Sequence, residues 1–277
     1  MWVIENRQYL GEVDSWSRAE QFGDGVFETL LVSDGVARAL SLHAKRLEHG
    51  LRCLKIPPPV ENLQHMLSGY VGNMVEYSGL RNGVLKVMVS RAKSARGYAY
   101  DAQAEPCIVV FFSSYQAPKN EFYEQGINVQ ICSTQCSIQQ QLAGLKHLNR
   151  LENVLAKSEL HSDCFEGLMG NYLGFVIEGT MSNVFFEKDD VLYTPELSLS
   201  GVAGIMRSLI MAYCRRKGIA LHITHIKMDA LPQFDSAFVC NSVMGLLPIK
   251  KIKDKPMAIG KLTRQLQMAI RSGEIYA

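Results

Sequence analysis

The sequence predicts an α+β fold, on three observations. Short apolar runs with strand character follow one another in meanders instead of alternating one by one with helices. Turn residues of the kind that close hairpins separate several of these runs. The chain is also long and apolar enough to bury a substantial core, with 277 residues of which 47% are hydrophobic and 20% charged.

Taken in order, "WVIENRQYL" reads as strand, turn and strand. "GVFETLLVSDGVARAL" reads as two strands around a Ser-Asp-Gly turn. From Leu42, apolar positions Leu47, Leu51 and Leu54 recur at helical spacing, and that helix ends before the prolines at 57–59. "NLQHMLSGYVGNMV" is a second helix, and "NGVLKVMVS" and "PCIVVFF" are strands. The polar stretch 113–126 carries a proline between two apolar runs and is the candidate linker. The expected bounds are 1–115 for a first domain, 116–126 for the linker and 127–277 for a second domain.

The second half opens with the strand "INVQICS". In "AGLKHLNRLENVLA" at 143–156, Leu148, Leu151, Val154 and Leu155 share one helical side, so a helix is expected from Asn149, a good N-cap residue. "EGLMGNY", "GFVIEG" and "NVFFEKDDVLYTP" are strands, the last able to fold as a hairpin. "GVAGIMRSLIMAYCRRKG" is a helix opened by glycines and stopped at Gly218. "ALHITHI" and "SAFVCN" are strands, and a final helix runs from Ile259 to Ile270.

Composition excludes some functions. The net charge is +2 with histidine neutral, and the basic residues are scattered, so neither nucleic acid nor a membrane surface is an expected partner. The densest basic stretch, Lys250 to Lys255, reads as a solvated turn. No apolar run approaches the ~20 residues that span a bilayer. The polar, acidic start "MWVIENRQYLGE" does not read as a signal peptide. Seven cysteines, among them Cys107 and Cys240 in apolar runs, read as buried reduced thiols and point to a cytoplasmic location. Cys132 and Cys136 lack a matching second pair, and "HITH" lacks the glutamate of a metalloprotease helix, so no metal is expected.

Several positions could carry chemistry. Lys146 precedes the expected helix, where the positive end of the dipole disfavours an ammonium. Burial would add to this, and a neutral amine is a nucleophile. "SGVAGIMRSL" at 200–209 puts glycines before a helix, either as an anion cradle or as a plain loop-to-helix junction. Arg46 is either a snorkelling surface arginine or a forked donor for phosphate or carboxylate. His43, one turn earlier, reads as a structural histidine. Glu178 is a strand-end carboxylate facing water, or one aimed at a buried positive nitrogen. Arg91, Lys93 and Arg96 form a basic loop that is solvated or that binds substrate carboxylates.

Together with "QFGDGVFET" at 21–29, "ARGY" at 95–98 and "GVAGIMR" at 201–207, these features resemble the fold-type IV pyridoxal-phosphate enzymes. This is the group of branched-chain and D-amino-acid aminotransferases, and the match follows the same order over nearly the whole chain. The resemblance implies a smaller N-terminal α/β domain, a larger C-terminal β-barrel-like domain with helices, pyridoxal 5'-phosphate as cofactor, a small-molecule substrate and a homodimer. It implies that Lys146 condenses with the cofactor aldehyde and that Glu178 pairs with the protonated pyridine nitrogen. Arg46 would grip the phosphate with Gly204 and the amides of Ile205 and Met206, and Asn241 and Ser242 would add donors. Arg96 and Tyr98 fall where substrate-facing residues are expected. Within the family, "KHLNRLE" resembles a lyase that breaks a carbon–oxygen bond, with Thr29 assisting proton transfer to the leaving group. A D-amino-acid or branched-chain transaminase is the alternative, because Glu28 in "FET" follows the aminotransferase pattern where some lyases carry a hydroxyl.

Overall fold

The computed structural model describes residues 2–4, 7–9, 17–92 and 97–277. The chain divides into two units: Met1–Gln116 with Leu145–Asn149, and Ala117–Gly144 with Arg150–Ala277.

In the first unit, β1 (Trp2–Ile4) and β2 (Arg7–Tyr9) pair antiparallel. The short helix α1 (Arg18–Phe22) starts at Ser17, whose hydroxyl accepts from the Ala19 amide. β3 (Gly25–Ser33) and β4 (Val36–Ala37) close on Asp34 and Gly35, at φ 52° and 81°. A two-residue hairpin turn that follows the strand twist requires such angles. Two helices, α2 (Leu40–Cys53) and α3 (Leu63–Ser78), precede β5 (Gly83–Ser90) and β6 (Cys107–Ser113). The strand order is β2-β1-β6-β5-β3-β4, antiparallel except for β1 against β6. Val26, Leu30 and Val32 of β3 join Leu85, Val87 and Val89 of β5 in a core with Leu47 and Leu51 of α2 and Leu67 and Met74 of α3. Because strand side chains alternate, Phe27, Thr29 and Leu31 lie on the opposite face of β3.

The second unit contains α4 (Asn120–Gln125), β7 (Ile127–Ile131), α5 (Leu151–Ser158), β8 (Glu166–Gly170), β9 (Val176–Gly179), β10 (Asn183–Lys188) and β11 (Val191–Pro195). Next come α6 (Ile205–Lys217), β12 (Leu221–Thr224), β13 (Ser236–Asn241), β14 (Gly245–Ile252), β15 (Lys255–Pro256) and α7 (Lys261–Arg271). One sheet runs β12-β11-β10-β13-β14-β7-β8-β9, with β15 added against β14. It curls as a half-barrel that brings β9 against β10 and β11, around a core that includes Leu168, Val184, Phe186, Val239 and Leu247. α6 packs on β13 and α7 on β14. This mixture of meanders, two sheets and flanking helices is the expected α+β class.

Several local expectations change. Half of the polar stretch 113–126 is the helix α4. Lys250 and Lys251 belong to β14 and Lys255 to β15, leaving only Lys253 and Asp254 as the turn. β14 carries Pro248 and two lysines and so does not read as an interior strand. Pro248 pairs with Phe238 of β13 and lies outside the ladder to β7, which starts at Ile249 and shifts register before Lys251. The helix expected from Asn149 begins at Leu151, with Arg150 as its N-cap residue. Only Ala156 of that helix is buried, whereas Leu151, Val154 and Leu155 are exposed. Cys107 is exposed at the start of β6, although Cys132, Cys136, Cys214 and Cys240 are buried as expected. Burial pushes the Cys132 and Cys214 thiols up to about 11 and those of Cys136 and Cys240 higher still. Among the described residues no helix is long and apolar enough to cross a membrane, and no group of three His, Cys, Asp or Glu could hold a metal.

Candidate active site

In the first unit the site grows out of "QFGDGVFET". A Cβ at position 25 would stand 2.6 Å from the Val89 carbonyl oxygen and 2.8 Å from Ser90 Cα, so only glycine lets β3 lie this close to β5, and the segment 145–149 runs along its other edge with Leu148 Cδ1 nearby. That segment is extended. Phe27 N donates to the Lys146 carbonyl at 2.9 Å, Leu148 N donates to the Gly25 carbonyl at 3.0 Å, and Val26 bridges His147. Asn149 does not cap α5; its side-chain amide donates to the Gly23 carbonyl at 3.0 Å. Lys146 therefore lies five residues before the first helical residue. The dipole fades within one turn, so it does not disfavour the ammonium at this distance. What the structure provides is a ring: Lys146 Nζ sits 4.1 Å from the centroid of Phe27, an attractive contact for an ammonium. Thr29, two residues along, is on the same face of β3 as Phe27.

Glu28 points the other way, into the helix layer, and is 1% exposed. Arg46 of α2 grips it side-on: Nε donates to one carboxylate oxygen and Nη2 to the other, both at 2.7 Å. His43 Nδ1 lies 2.6 Å from the second oxygen. Burial alone would raise the Glu28 carboxyl, but the Arg46 charge, helped by hydrogen bonds from Arg46 and His43, pulls it down to about 2. Arg46 is thus no snorkelling side chain. Its fork is formed, and both Glu28 oxygens accept from it. His43 is structural through Nδ1, while its buried Nε2 has no partner among the described residues.

Asp24 of the same motif accepts from Arg18 at 2.8 Å and from Arg91 at 2.9 Å. Arg91, read as part of a solvated loop, is a buried strut that donates to the Leu54 and Lys55 carbonyls and stacks on Tyr100. Arg18 donates to the carbonyls of Gly97, Tyr98 and Ala99, and so ties down the loop that follows Arg96. Lys93 and Arg96 lie outside the described residues. Tyr98 is 84% exposed, its ring against Phe22. The arginine latch has a signal in the motif, namely an Asp between two glycines, but its partners are remote in sequence.

In the second unit, Glu178 on β9 is 4% exposed, which excludes the water-facing alternative. One oxygen accepts from the Val202 amide at 2.8 Å. The Arg150 guanidinium lies within its field; burial holds that guanidinium below its usual range, opposed by the carboxylates of Glu178 and Glu152. The turn after β9 is pinned by the buried Glu166, which accepts from the Thr180 amide and hydroxyl and from the Ser182 hydroxyl. Neither Arg150 nor Glu166 was identified from sequence, because nothing local marks an isolated charged residue as buried.

Gly204 is the N-cap residue of α6, and a Cβ there would stand 2.0 Å from Asn183 Oδ1. Asn183 itself donates to the Val202 carbonyl. Backbone contacts thus link the loop 200–204 to Glu178, and Ile205 and Met206 supply first-turn amides, which have no intrahelical acceptor. The Asn241 side chain is committed to its own turn: Oδ1 accepts from Val243 and Met244, and Nδ2 donates to the Met181 carbonyl. Ser242 is in the same turn. Within the second unit, the helix-start amides behind a cradle that a Cβ would fill suit a phosphate, and the buried carboxylate suits a protonated ring nitrogen; within the first, the Lys146 amine suits an aldehyde.

A family model, amino-transferase class IV, matches residues 25–252. An aminodeoxychorismate lyase of Vibrio harveyi is 35% identical over 259 residues, covering 90% of this chain and 92% of that protein. A D-alanine aminotransferase of Bacillus licheniformis is 27% identical, covering 94% and 91%. Among solved structures, 4-amino-4-deoxychorismate lyase from Pseudomonas aeruginosa superposes with a TM-score of 0.89 at 36% identity, covering 96% of each chain.

Proposed function

Since this chain belongs to the amino-transferase class IV family, we propose that it is a pyridoxal 5'-phosphate lyase converting 4-amino-4-deoxychorismate to 4-aminobenzoate and pyruvate, a step toward folate. The sequence similarity supports this over amino transfer: the lyases of Vibrio harveyi and Pseudomonas aeruginosa share over a third of the aligned residues with this chain, the D-alanine aminotransferase of Bacillus licheniformis 27%. The observation that carries the reading is local to the first unit. The Lys146 amine stands over Phe27, and Thr29 occupies that same face of β3, while Glu28 is turned into the core. The glutamate that follows the aminotransferase pattern thus faces α2, and the residue on the Lys146 face is a hydroxyl.

The cofactor, when bound, supplies an electron sink that acidifies the C–H bond beside the substrate nitrogen. Lys146 would hold the cofactor aldehyde, and its neutral amine would take the proton from the ring carbon that carries the substrate amine. The bond from the ring to the enolpyruvyl oxygen then breaks, its electron pair leaving with the oxygen, and the ring becomes aromatic. Thr29 Oγ1 relays a proton to the departing enolpyruvate, which ends as pyruvate. Glu178 would hold the proton on the pyridine nitrogen. Arg46, Gly204, the amides of Ile205 and Met206, and the turn of Asn241 and Ser242 would hold the phosphate. Arg96 and Tyr98 would bind the substrate.

We assign the exposed apolar face of α5, formed by Leu151, Val154 and Leu155, to a second copy of this chain, and we place the enzyme in the cytoplasm on its seven free thiols. The test is direct: holoenzyme mixed with 4-amino-4-deoxychorismate should release 4-aminobenzoate and pyruvate in equal amounts. Rapid conversion of the cofactor to its amine form by D-alanine, without aminobenzoate release, would replace the lyase with a transaminase.

A further inference from the structure

We propose that Glu28 is a positioning residue that presets the Arg46 guanidinium for an anionic ligand, a clamp built into the core of the first unit. The inference rests on the reading of Arg46 as the phosphate grip. Its geometry stands on β3 and α2 alone. Arg46 and His43 are three residues apart on α2, so both reach the same point of β3. Glu28 stands there among Val26, Leu30 and Val32, where an apolar side chain would serve the core equally well. Instead the core holds a carboxylate and a histidine that is fully buried and whose Nε2 has no partner among the described residues. An ionised carboxylate only accepts, so the His43 proton sits on Nδ1 and points at Glu28. That ring is in place for its one bond to Glu28, and Glu28 for the two bonds it accepts from Arg46.

The consequence is orientation. An arginine that seizes a ligand loses the rotamer freedom of a long side chain. The pair through Nε and Nη2 removes that freedom beforehand and fixes the guanidinium plane, with Nη1 on the side away from the carboxylate. Charge works against the clamp, because Glu28 offsets the positive charge that draws an anion. Glu28→Gln therefore separates two effects of opposite sign. If charge dominated, the substitution would tighten phosphate binding; if orientation dominates, it weakens it.

The experiment titrates the full-length apoprotein with pyridoxal 5'-phosphate and, separately, with pyridoxal, which has the same aldehyde and no phosphate, following absorbance of the bound form. Glu28→Gln should weaken pyridoxal 5'-phosphate about tenfold, the order expected for a misplaced hydrogen bond to a charged group, and leave pyridoxal within twofold. Glu28→Asp, which keeps the charge but is one methylene too short for the fork, should shift the same ratio in the same direction if Glu28→Gln does not fold. Unchanged or tighter pyridoxal 5'-phosphate binding in the folded variant overturns the clamp. Arg46→Gln tests the underlying reading separately: if it leaves the ratio of the two affinities unchanged, Arg46 is not the phosphate grip. If only Arg46→Gln moves the ratio, the grip stands and the clamp falls.

Discussion

Two buried carboxylates, Glu28 on β3 and Glu178 on β9, are compensated in different ways. Around Glu28 the site is closed by side chains: a bidentate arginine and a histidine meet both oxygens, and the carboxyl falls to about 2. Around Glu178 the backbone contributes, through the Val202 amide, and the loop holding that amide is kept tight by glycines and by Asn183. A side-chain clamp arranges another side chain. Around Glu178 a main-chain amide is joined by the nearby charge of Arg150. On the function proposed above, Glu28 serves architecture and Glu178 chemistry, although both sit in apolar strands.

The largest effect that could break this assignment comes from Lys146→Ala, which should abolish turnover and the absorbance of bound cofactor; a retained spectrum would mean that the amine on the Phe27 face is not the anchor. Glu178→Gln should cut turnover roughly a hundredfold or more while cofactor affinity, measured by titration, moves only a few-fold. Near-normal turnover would make Glu178 as structural as Glu28. Thr29→Val should slow aminobenzoate release by about tenfold to a hundredfold, with Thr29→Ser close to wild type in the same assay. A Glu28 variant tests the other side. Its folded pKa, about 2, lies below the ordinary 4.5, so the carboxylate stabilises the fold above that ordinary value. The contribution disappears as pH falls from 4.5 toward 2. Denaturant melts should show wild type losing on the order of 3 kcal/mol more than Glu28→Gln across that window; parallel curves would remove the ionic clamp. The smallest effect is on thiols: in native protein a disulfide probe should label Cys53 and Cys107 quickly and Cys132, Cys136, Cys214 and Cys240 only on unfolding.

Much of the fold could be read locally. The Asp34-Gly35 hairpin, the α2 and α3 patterns and the Gly218 stop each depend on neighbours a few residues apart. β14 is hidden because Pro248 and its lysines speak against an interior strand, whereas Pro248 lies outside the ladder to β7, which starts at Ile249. The apolar periodicity of 148–155 places the start of α5 too early, because these positions are periodic without being buried in one core. Leu148 belongs to the extended segment beside Gly25, and Leu151 and Leu155 are exposed. The site residues Lys146, Arg46 and Glu178 were marked by motif. What surrounds them, the Phe27 ring, Glu28 with His43, the Val202 amide and Arg150, was not.

By itself the sequence determined the fold class, most element types and the family, because periodicity, turn residues and motif order are properties of adjacent positions. Only the tertiary structure decided which way the site residues face. Asn149 donates to Gly23, 126 positions away, and that bond draws the Lys146 segment into an extended edge and not a helix start. The alternation along β3 then separates Thr29 from Glu28. Long-range hydrogen bonds and strand parity settle such directions only once the chain has closed on itself.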